Sequence, residues 1–294
     1  MELKNLRTFV AVVREGGFTQ AAKTVFATQS TVSKAIKQLE DEIGVPLLDR
    51  IGHRSQPTAA GHIVYERALR MLAEREDLIA ELDALRGLKR GTLRLGLPPI
   101  GSSTLFAPLF ALYRKRYPGI DIRFVEHGSD RLEELVRSGE IELAASLLPV
   151  SEEFEWQDVR NEPLSVLMSA GHALAGRRSL DLPALRNLPF ILYESGFALN
   201  RIIIDACRRH GFEPSVVARS SQIDFIIELA AADLGIGFMP RMIAEQRKHP
   251  LVKRIPLSEP HTNWHIAMIW RRGAFLSHAA KAWLELVRQH RTRK

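Results

Sequence analysis

The sequence predicts an α/β protein in which a helical N-terminal part precedes a longer region of alternating strands and helices. Three observations support this fold class. Two short amphipathic helices flank a polar break within residues 18–48, and residues 62–86 contain neither proline nor glycine. From residue 92 onward, strand-like apolar runs alternate with runs at helical spacing, which is typical of a parallel or mixed sheet flanked by helices. At 294 residues the chain can bury a sizeable core.

The composition is that of a basic globular protein. Apolar residues make up 46% of the chain and charged residues 26%, both ordinary values for this class. The formal net charge of +7 favours an anionic partner, without choosing between nucleic acid and a membrane. The sequence shows neither a signal segment nor an apolar run of membrane-spanning length. We therefore expect a cytoplasmic protein that has no membrane partner.

Residues that could carry catalysis or bind metal are sparse. The single cysteine, Cys207, excludes an intrachain disulfide, and Ile203 four residues earlier favours a buried thiol over a redox switch. His261 and His265 lack a convincing third metal ligand. No nucleophile elbow, phosphate-binding loop or dinucleotide fingerprint occurs. We predict no metal, no cofactor and no enzymatic activity.

The N-terminal apolar stripes predict three helices. The first stripe begins at Leu3 and stops at Gly16-Gly17, and the second covers 18–25. The third runs from Val32 to Ile43, and Thr28 can cap it. The second and third helices, joined by so tight a turn, form a helix-turn-helix, whose second helix can enter the major groove of double-stranded DNA.

The start of the third helix carries polar groups that suit DNA. Glutamine can pair with adenine, serine and threonine with bases or phosphates, and lysine with guanine or phosphate. A solvated helix face would also be polar. Here, however, the polar face occurs together with an apolar stripe and with the turn that precedes the helix. The predicted contacts are Thr28, Gln29, Ser30, Thr31, Ser33, Lys34 and Lys37.

A basic turn follows the helix pair. Pro46, Gly52 and Pro57 interrupt helix formation, and Arg50 and Arg54 lie close to the turn. This pattern predicts a wing, and therefore a winged helix-turn-helix over 1–58, with the two arginines contacting phosphate or the minor groove. An exposed basic loop with no DNA contact is the alternative.

Residues 1–61 resemble the DNA-binding domain of LysR-type transcriptional regulators. The resemblance rests on LKNLRTFVAVVREGGFTQAA, on TQSTVSKAIKQLEDEIGVPLLDR and on TAAG at 58–61. The family usually has Ser-Gln-Pro before the recognition helix, where this chain has Thr28-Gln29-Ser30. The missing proline removes a fixed first-turn φ, which bears on base preference more than on fold.

The segment 59–86 is predicted to be one long helix that pairs with a second copy of the chain. Its apolar residues follow a spacing of four and three, interrupted only by Arg75, as in a coiled-coil seam. A helix packed on its own domain could show the same stripe. The absence of a tight turn back towards 1–58, together with the resemblance, favours a homodimer. The seam residues are Val64, Ala68, Met71, Leu78, Leu82 and Leu85.

The resemblance extends, more loosely, to the rest of the chain. Over 92–294 it implies a two-lobed α/β effector-binding domain that resembles periplasmic binding proteins, and the short, basic, flexible segment GLKRG before this domain predicts a hinge at 87–91. Lobe I would comprise about 92–162 and 267–294, and lobe II about 163–266. The resemblance also implies a homotetramer and RNA polymerase as a further partner. Its landmarks are RLGLPP, RYPGIDIRFVE, GEIELAAS and ADLGIGFMP.

A small-molecule effector is predicted between the lobes, because ligands of open α/β sheets bind beyond the carboxyl ends of strands. Ser102 or Ser103 can cap the helix after the first strand, and free first-turn amides favour an anion such as a carboxylate. Each of these residues has an alternative role: the serines could only cap the helix, His127 could be a solvated loop residue, and Phe197 and Phe238 could pack in the core. The predicted effector residues are Ser102, Ser103, Thr104, His127, Ser129, Pro149, Phe197, Asn200, Ser221 and Phe238.

The sequence thus predicts a DNA-binding transcriptional regulator that responds to a small effector. A solute-binding protein or an enzyme with an accessory DNA-binding domain is the alternative. A free-standing solute-binding protein would need an export signal, and it would leave residues 1–61 unexplained.

Overall fold

The computed structural model describes residues 1–51, 54–85 and 91–291. The chain divides into two compact units, one formed by the first 88 residues and one by the remainder, with Ser138–Glu140 grouped with the first.

The first unit contains a helix-turn-helix, a two-stranded wing and one long helix. In chain order its elements are α1 (Leu3–Glu15), α2 (Phe18–Thr24), α3 (Gln29–Ile43), β1 (Leu48–Ile51), β2 (Arg54–Pro57) and α4 (Ala59–Leu85). The predicted stripes form the core of this unit, where Phe9, Ala21 and Ile36 are fully buried. The prediction of three helices and a wing is confirmed. The helices pack because their apolar faces are buried together.

Side-chain bonds from α3 and from the start of α4 fix the wing to the helices. The Glu40 carboxylate accepts hydrogen bonds from the backbone amides of Leu47 at 2.8 Å and Leu48 at 3.3 Å. The Thr58 hydroxyl donates to the Pro46 carbonyl at 2.9 Å and accepts from the Gly61 amide at 2.9 Å. Thr58 therefore starts α4 and anchors it beside the wing.

The long helix α4 uses its apolar stripe for two different contacts. Ala68 is buried and Val64 partly buried in the core of the same unit. Farther along, Met71, Leu78 and Leu82 are exposed, Leu78 by 56%. The expectation of a seam between chains is therefore wrong for Val64 and Ala68, which pack on their own domain because Thr58 docks the helix there. The side chain of Leu85 and residues 86–90, most of the predicted hinge, lie outside the described residues.

The described residues of the second unit form ten strands, and helices separate many of them. Its first elements are β3 (Gly91–Leu97), α5 (Ala107–Arg116), β4 (Ile120–Glu126), α6 (Ser129–Arg137), β5 (Leu143–Leu147) and β6 (Phe154–Glu162). Then follow β7 (Leu164–Ser169), β8 (Pro189–Tyr193), α7 (Ala198–Arg209), β9 (Ser215–Ser220), α8 (Ile223–Ala231), β10 (Gly237–Pro240), α9 (Arg241–Gln246) and β11 (Val252–Pro256). The described part of the chain ends with β12 (Trp264–Arg271) and α10 (His278–Arg291).

The two lobes of this unit repeat one strand order. In lobe I the order is β4-β3-β5-β12-β6, with β3 parallel to β4 and β5 and with β12 antiparallel to its neighbours. In lobe II, β8 pairs in parallel with β9, and β7 lies between β10 and β11. A parallel bridge between Phe190 and Ile236 joins these two sheets into the order β9-β8-β10-β7-β11. Each lobe therefore has the mixed sheet that the sequence predicts.

The chain passes between the lobes twice. It leaves lobe I between β6 and β7 and returns between β11 and β12. Because Trp264 at the start of β12 pairs with Glu162 of β6, residues 264–266 belong to lobe I rather than to lobe II. The described part of the chain contains no helix both long and apolar enough to cross a membrane.

Candidate functional site

One face of α3 is free for recognition. Val32, Ile36 and Leu39 are buried on the opposite face, so the polar residues point away from the core. Ser33 is half-buried, and the other predicted contacts are exposed. Lys34 and Lys37 form no ion pair with any other described residue, which leaves both charges available to an anion. The exposed set is Thr28, Gln29, Ser30, Thr31, Lys34 and Lys37.

The hydroxyl groups at the start of α3 bond to one another. Thr28 Oγ1 accepts from the Thr31 amide at 3.2 Å, as a helix cap does, and lies 2.9 Å from Ser30 Oγ and 2.8 Å from Thr31 Oγ1. The Ser30 hydroxyl, where the family usually has proline, thus joins the capping cluster. Thr28 has a capping role that the sequence predicts, while base contacts by these three hydroxyl groups stay predictions.

The wing is an antiparallel pair in which Arg50 faces Ser55 and Ile51 faces Arg54. The two predicted arginines therefore lie on opposite strands near the turn. Their side chains lie outside the described part of the structure, so their DNA contacts stay predictions.

The cleft of the second unit lies where the carboxyl ends of parallel strands from both lobes meet. The loop after β4 contacts the loop after β8, since the Asp130 amide donates to the Gly196 carbonyl at 3.1 Å. Thr104, after β3, donates from its hydroxyl to Gln246 Oε1 of α9 at 2.8 Å. Thr104 is therefore a bridge between the lobes.

The segment after β3 differs from the predicted helix cap. Residues Ser102–Phe106 form a π-helical turn before α5, and Gly101 occupies the cap position with φ 91°. The Ser102 hydroxyl donates back to the Pro98 carbonyl, so Ser102 is not the cap and the expectation is wrong. The positive φ of Gly101 turns the chain one residue earlier than the serines suggest.

The amides of this turn are open to a ligand. The first backbone bond of the turn runs from the Leu105 amide to the Gly101 carbonyl at 2.9 Å. Within the described ranges, the amides of Ser102, Ser103 and Thr104 have no acceptor. The Ser103 side chain is exposed and Ser102 half-buried. An anion at this turn could accept from several amides, which are the usual donors at a helix start.

The predicted residues of lobe II are largely structural. Asn200 Oδ1 accepts from the Tyr193 amide at 2.9 Å, and its Nδ2 donates to the carbonyls of Tyr193 at 2.8 Å and Glu194 at 2.9 Å. These bonds account for the burial of Asn200 without a ligand. Phe238 is 1% exposed and packs on Phe190 at 5.1 Å between ring centroids, so core packing explains it.

Among the remaining predicted effector residues, His127 and Ser129 flank Gly128, which lies against Gly196 and Phe197. His127 and Ser221 are exposed, Phe197 stacks on Tyr193 with centroids 5.6 Å apart, and Ser129 is buried at the start of α6. Pro149 is exposed and lines a cavity of about 510 Å³ that contains no other predicted effector residue.

Comparison with known proteins decides the family. Residues 3–62 match the model of the bacterial regulatory helix-turn-helix protein, lysR family, and residues 86–292 match the LysR substrate binding domain. The chain belongs to the LysR family of transcriptional regulators. The uncharacterised HTH-type transcriptional regulator YwbI from Bacillus subtilis strain 168 is 35% identical, and the alignment covers 97% of this chain and 95% of that protein.

Solved LysR-family structures share the fold. A full-length OxyR variant from Pseudomonas aeruginosa has a TM-score of 0.74 at 24% identity, covering 98% of this chain and 95% of that one. CbnR in complex with its target DNA has a TM-score of 0.65 at 23% identity, covering 98% and 99%. As a LysR-type regulator, the protein binds DNA and carries an effector-binding domain, and it is not an enzyme.

One exposed residue of this LysR-type regulator is not predicted by the sequence pattern. Phe26, in the turn between α2 and α3, has φ 53° and is 97% exposed. An aromatic side chain just before the recognition helix can contact sugars or the thymine methyl group. Phe26 stands one residue after the apolar stripe of the second helix ends, and that stripe does not predict whether its side chain is buried or exposed.

Burial affects the titration of one buried group and one half-buried group, which lie in different lobes. In lobe II, burial raises the pKa of the Cys207 thiol to about 11, as expected for a structural thiol. In lobe I, burial also raises the pKa of the Glu133 carboxyl, although the Ser146 hydroxyl bond at 2.7 Å acts the other way. The expectation of a buried Cys207 is confirmed.

Proposed function

We propose that this LysR-type regulator reads DNA through the exposed face of α3 and responds to a small carboxylate bound between its lobes. The single observation that best supports the effector class is the set of amides at Ser102–Thr104 without acceptors among the described residues. They lie beside the Thr104 hydroxyl, which bonds to α9 of the other lobe. A carboxylate could accept from these amides, and its charge would be favoured at the start of a helix.

The response is proposed to be a shift between lobe arrangements. Two hydrogen bonds already join the lobes, from Asp130 to Gly196 and from Thr104 to Gln246. A ligand that contacts both lobes stabilises the closed arrangement by the difference between its affinities for the closed and open forms. Paired DNA-reading units would then change their spacing, which is how effector and DNA binding would be coupled.

Two exposed apolar surfaces support a dimer and a tetramer. The first is the row Met71, Leu78 and Leu82 on α4, which suits a coiled-coil contact. The second lies on the edge strands of the two lobes, where Phe124 of β4 and Val217 of β9 are exposed. Exposed apolar edge strands invite pairing with another chain, so the second surface would join two dimers.

The DNA assignment is tested by salt-dependent binding to operator DNA. Lys34→Ala should weaken binding to all sequences and lower the salt slope by about one charge if Lys34 contacts phosphate. Gln29→Ala should instead relax the preference at one base position. Lys281→Ala, a lysine of α10, is the matched control and should bind like the parent. Parent-like binding by both the Lys34 and the Gln29 variants would contradict the assignment of α3.

The effector assignment is tested by a thermal-shift screen of small carboxylates. Ser103→Asp puts a like charge beside the proposed carboxylate, while a carboxylate at a helix start is tolerated by the fold. The hits of the parent should disappear, and DNA binding without effector should persist. Ser258→Asp, at an exposed position of lobe II, should keep every hit. Unchanged hits in the Ser103 variant would place the effector elsewhere.

A further inference from the structure

A basic cavity lies in lobe II. Its volume is about 460 Å³, and its lining comes from β7, α9, β11 and the residues after α9. Arg241, Lys248 and Arg254 contribute three positive charges, and Glu245 contributes one negative charge, which gives a formal net charge of +2. None of the predicted effector residues lines this cavity.

Arg241 has a buried N–H donor that finds no acceptor among the described residues. The donor is its Nε atom. The backbone amide of the same residue donates to the Pro163 carbonyl at 2.9 Å, so the start of α9 is fixed beside the chain crossing. A buried guanidinium N–H without an acceptor is costly, because it has given up water and gained nothing in exchange. An acceptor in the cavity would remove that cost.

The neighbouring cations show that this lack of partners is local. Arg247 pairs with Asp224, and His249 lies 3.5 Å from Glu228. Lys248, between them in sequence, is exposed and forms no ion pair with any described residue. Arg254 uses one donor on the Ala244 carbonyl at 3.1 Å, which leaves the rest of its guanidinium available. The three cations that line the cavity, Arg241, Lys248 and Arg254, thus form no ion pair with any described residue.

Ser165 supplies a further polar group. Its side chain lines the cavity although the residue is only 3% exposed, and its hydroxyl has no hydrogen-bond partner in the described ranges. This hydroxyl group is therefore available to donate to, or accept from, a ligand in the cavity. The cavity thus combines two guanidinium groups, an ammonium group and a hydroxyl group.

We propose that this cavity is a second small-ligand site, which binds a phosphate group. Guanidinium groups match the geometry of phosphate oxygens in pairs, and a lysine adds a compact charge. Three cations around one cavity suit a compact dianion better than a single carboxylate. The volume of about 460 Å³ accommodates a small phosphate ester as well as free phosphate.

The site would act on the cleft through α9. Arg241 is the first residue of α9, and Gln246, the last, accepts the bond from Thr104 of lobe I. A phosphate held by Arg241 and Lys248 would fix both ends of this short helix. It would thereby stabilise the side of the cleft that Thr104 contacts, so that the two ligands bind cooperatively.

The test is calorimetric titration of the full-length protein with inorganic phosphate at constant ionic strength. Arg241→Gln removes the unpartnered donor and should weaken one phosphate site per chain at least tenfold, since charge-assisted bonds are lost. Lys248→Gln changes an exposed residue without a described partner, so it keeps the fold and should weaken the same site several-fold. Lys253→Gln, an exposed neighbour on β11 outside the cavity lining, is the matched control and should bind phosphate like the parent.

Separate outcomes distinguish the alternatives. Equal phosphate affinity in the parent and in Lys248→Gln would overturn the site. The site would also be overturned if Lys253→Gln, the control, lost as much phosphate affinity as Lys248→Gln. Titration with succinate distinguishes the ligand class, because tighter binding of succinate than of phosphate would contradict the phosphate assignment. The proposal does not depend on the carboxylate effector, since Ser103→Asp should leave phosphate binding unchanged.

Discussion

The loops after β3 and β8 occupy equivalent positions in two lobes of identical strand order, yet their donors and acceptors are used differently. In lobe II the side chain of Asn200 makes three hydrogen bonds to the backbone around the end of β8. In lobe I the amides of Ser102–Thr104 have no described acceptor. Lobe II therefore completes its loop with its own side chain, whereas lobe I leaves donors open. Identical topology thus supports both a loop closed by its own side chain and a loop with open donors.

The sharpest contrast is between the glycines of the two loops. Gly101 and Gly196 have φ of 91° and 86°, so alanine is strained at both. A Cβ atom at Gly101 would lie 2.6 Å from the Trp264 ring, whereas a Cβ atom at Gly196 would lie 3.7 Å from the Asp130 carboxylate. We expect Gly101→Ala to cost about 3–5 kcal/mol and Gly196→Ala about 1–2 kcal/mol in urea unfolding. Equal losses would show that lobe I can move Trp264 aside.

The next prediction concerns the side chain that closes lobe II. Asn200→Ala removes three hydrogen bonds and takes the side-chain acceptor away from the amide of the buried Tyr193. The expected loss of stability is about 2–4 kcal/mol, measured by urea unfolding followed by circular dichroism. Asn200→Asp keeps the acceptor but loses both donors, so it should fall between the parent and the alanine variant. A loss below that of Ser102→Ala would contradict the asymmetry between the lobes.

Lobe I should be less sensitive to the loss of its hydroxyl bond. Ser102→Ala removes only the bond to the Pro98 carbonyl, from a half-buried residue. The expected cost is about 0.5–1.5 kcal/mol, by the same unfolding measurement. Effector binding should persist, because the proposed donors are backbone amides. A loss of effector binding with normal stability would show that the hydroxyl itself contacts the ligand.

The smallest expected effect is the reactivity of Cys207, which reports on lobe II alone because the chain has one cysteine. Burial raises the pKa of its thiol to about 11, so the reactive thiolate is scarce at pH 8. Labelling of the native protein with a thiol reagent should be slow and should rise as the pH approaches 11. In denaturant the pKa returns to its ordinary value and labelling should be fast. Rapid native labelling at pH 8 would show that lobe II opens easily.

The sequence predicts the parts of this fold that depend on neighbours along the chain. Apolar spacing and the Thr28 cap place α3 correctly, since a helix is decided within a few residues. The bonds of Asn200 connect a helix to the end of the strand before it, and no local pattern announces them. The basic cavity is still less predictable, because Ser165 and Arg241 are far apart in sequence. Periodicity shows that a face of α4 is buried, but not by which partner.

The helix α4 contributes both to the core of the DNA-binding unit and to the exposed row that begins at Met71. The number of residues in α4 therefore sets the angle between the recognition helix and that row. Each residue of an α-helix turns the chain by about 100°. One residue inserted between Leu72 and Leu78 would therefore turn the recognition helix by about 100° relative to a partner bound at Leu78 and Leu82. Seven inserted residues would nearly restore the orientation, while moving the unit by roughly 10 Å. In the proposed dimer, the length of this one helix sets both the twist and the distance between half-sites.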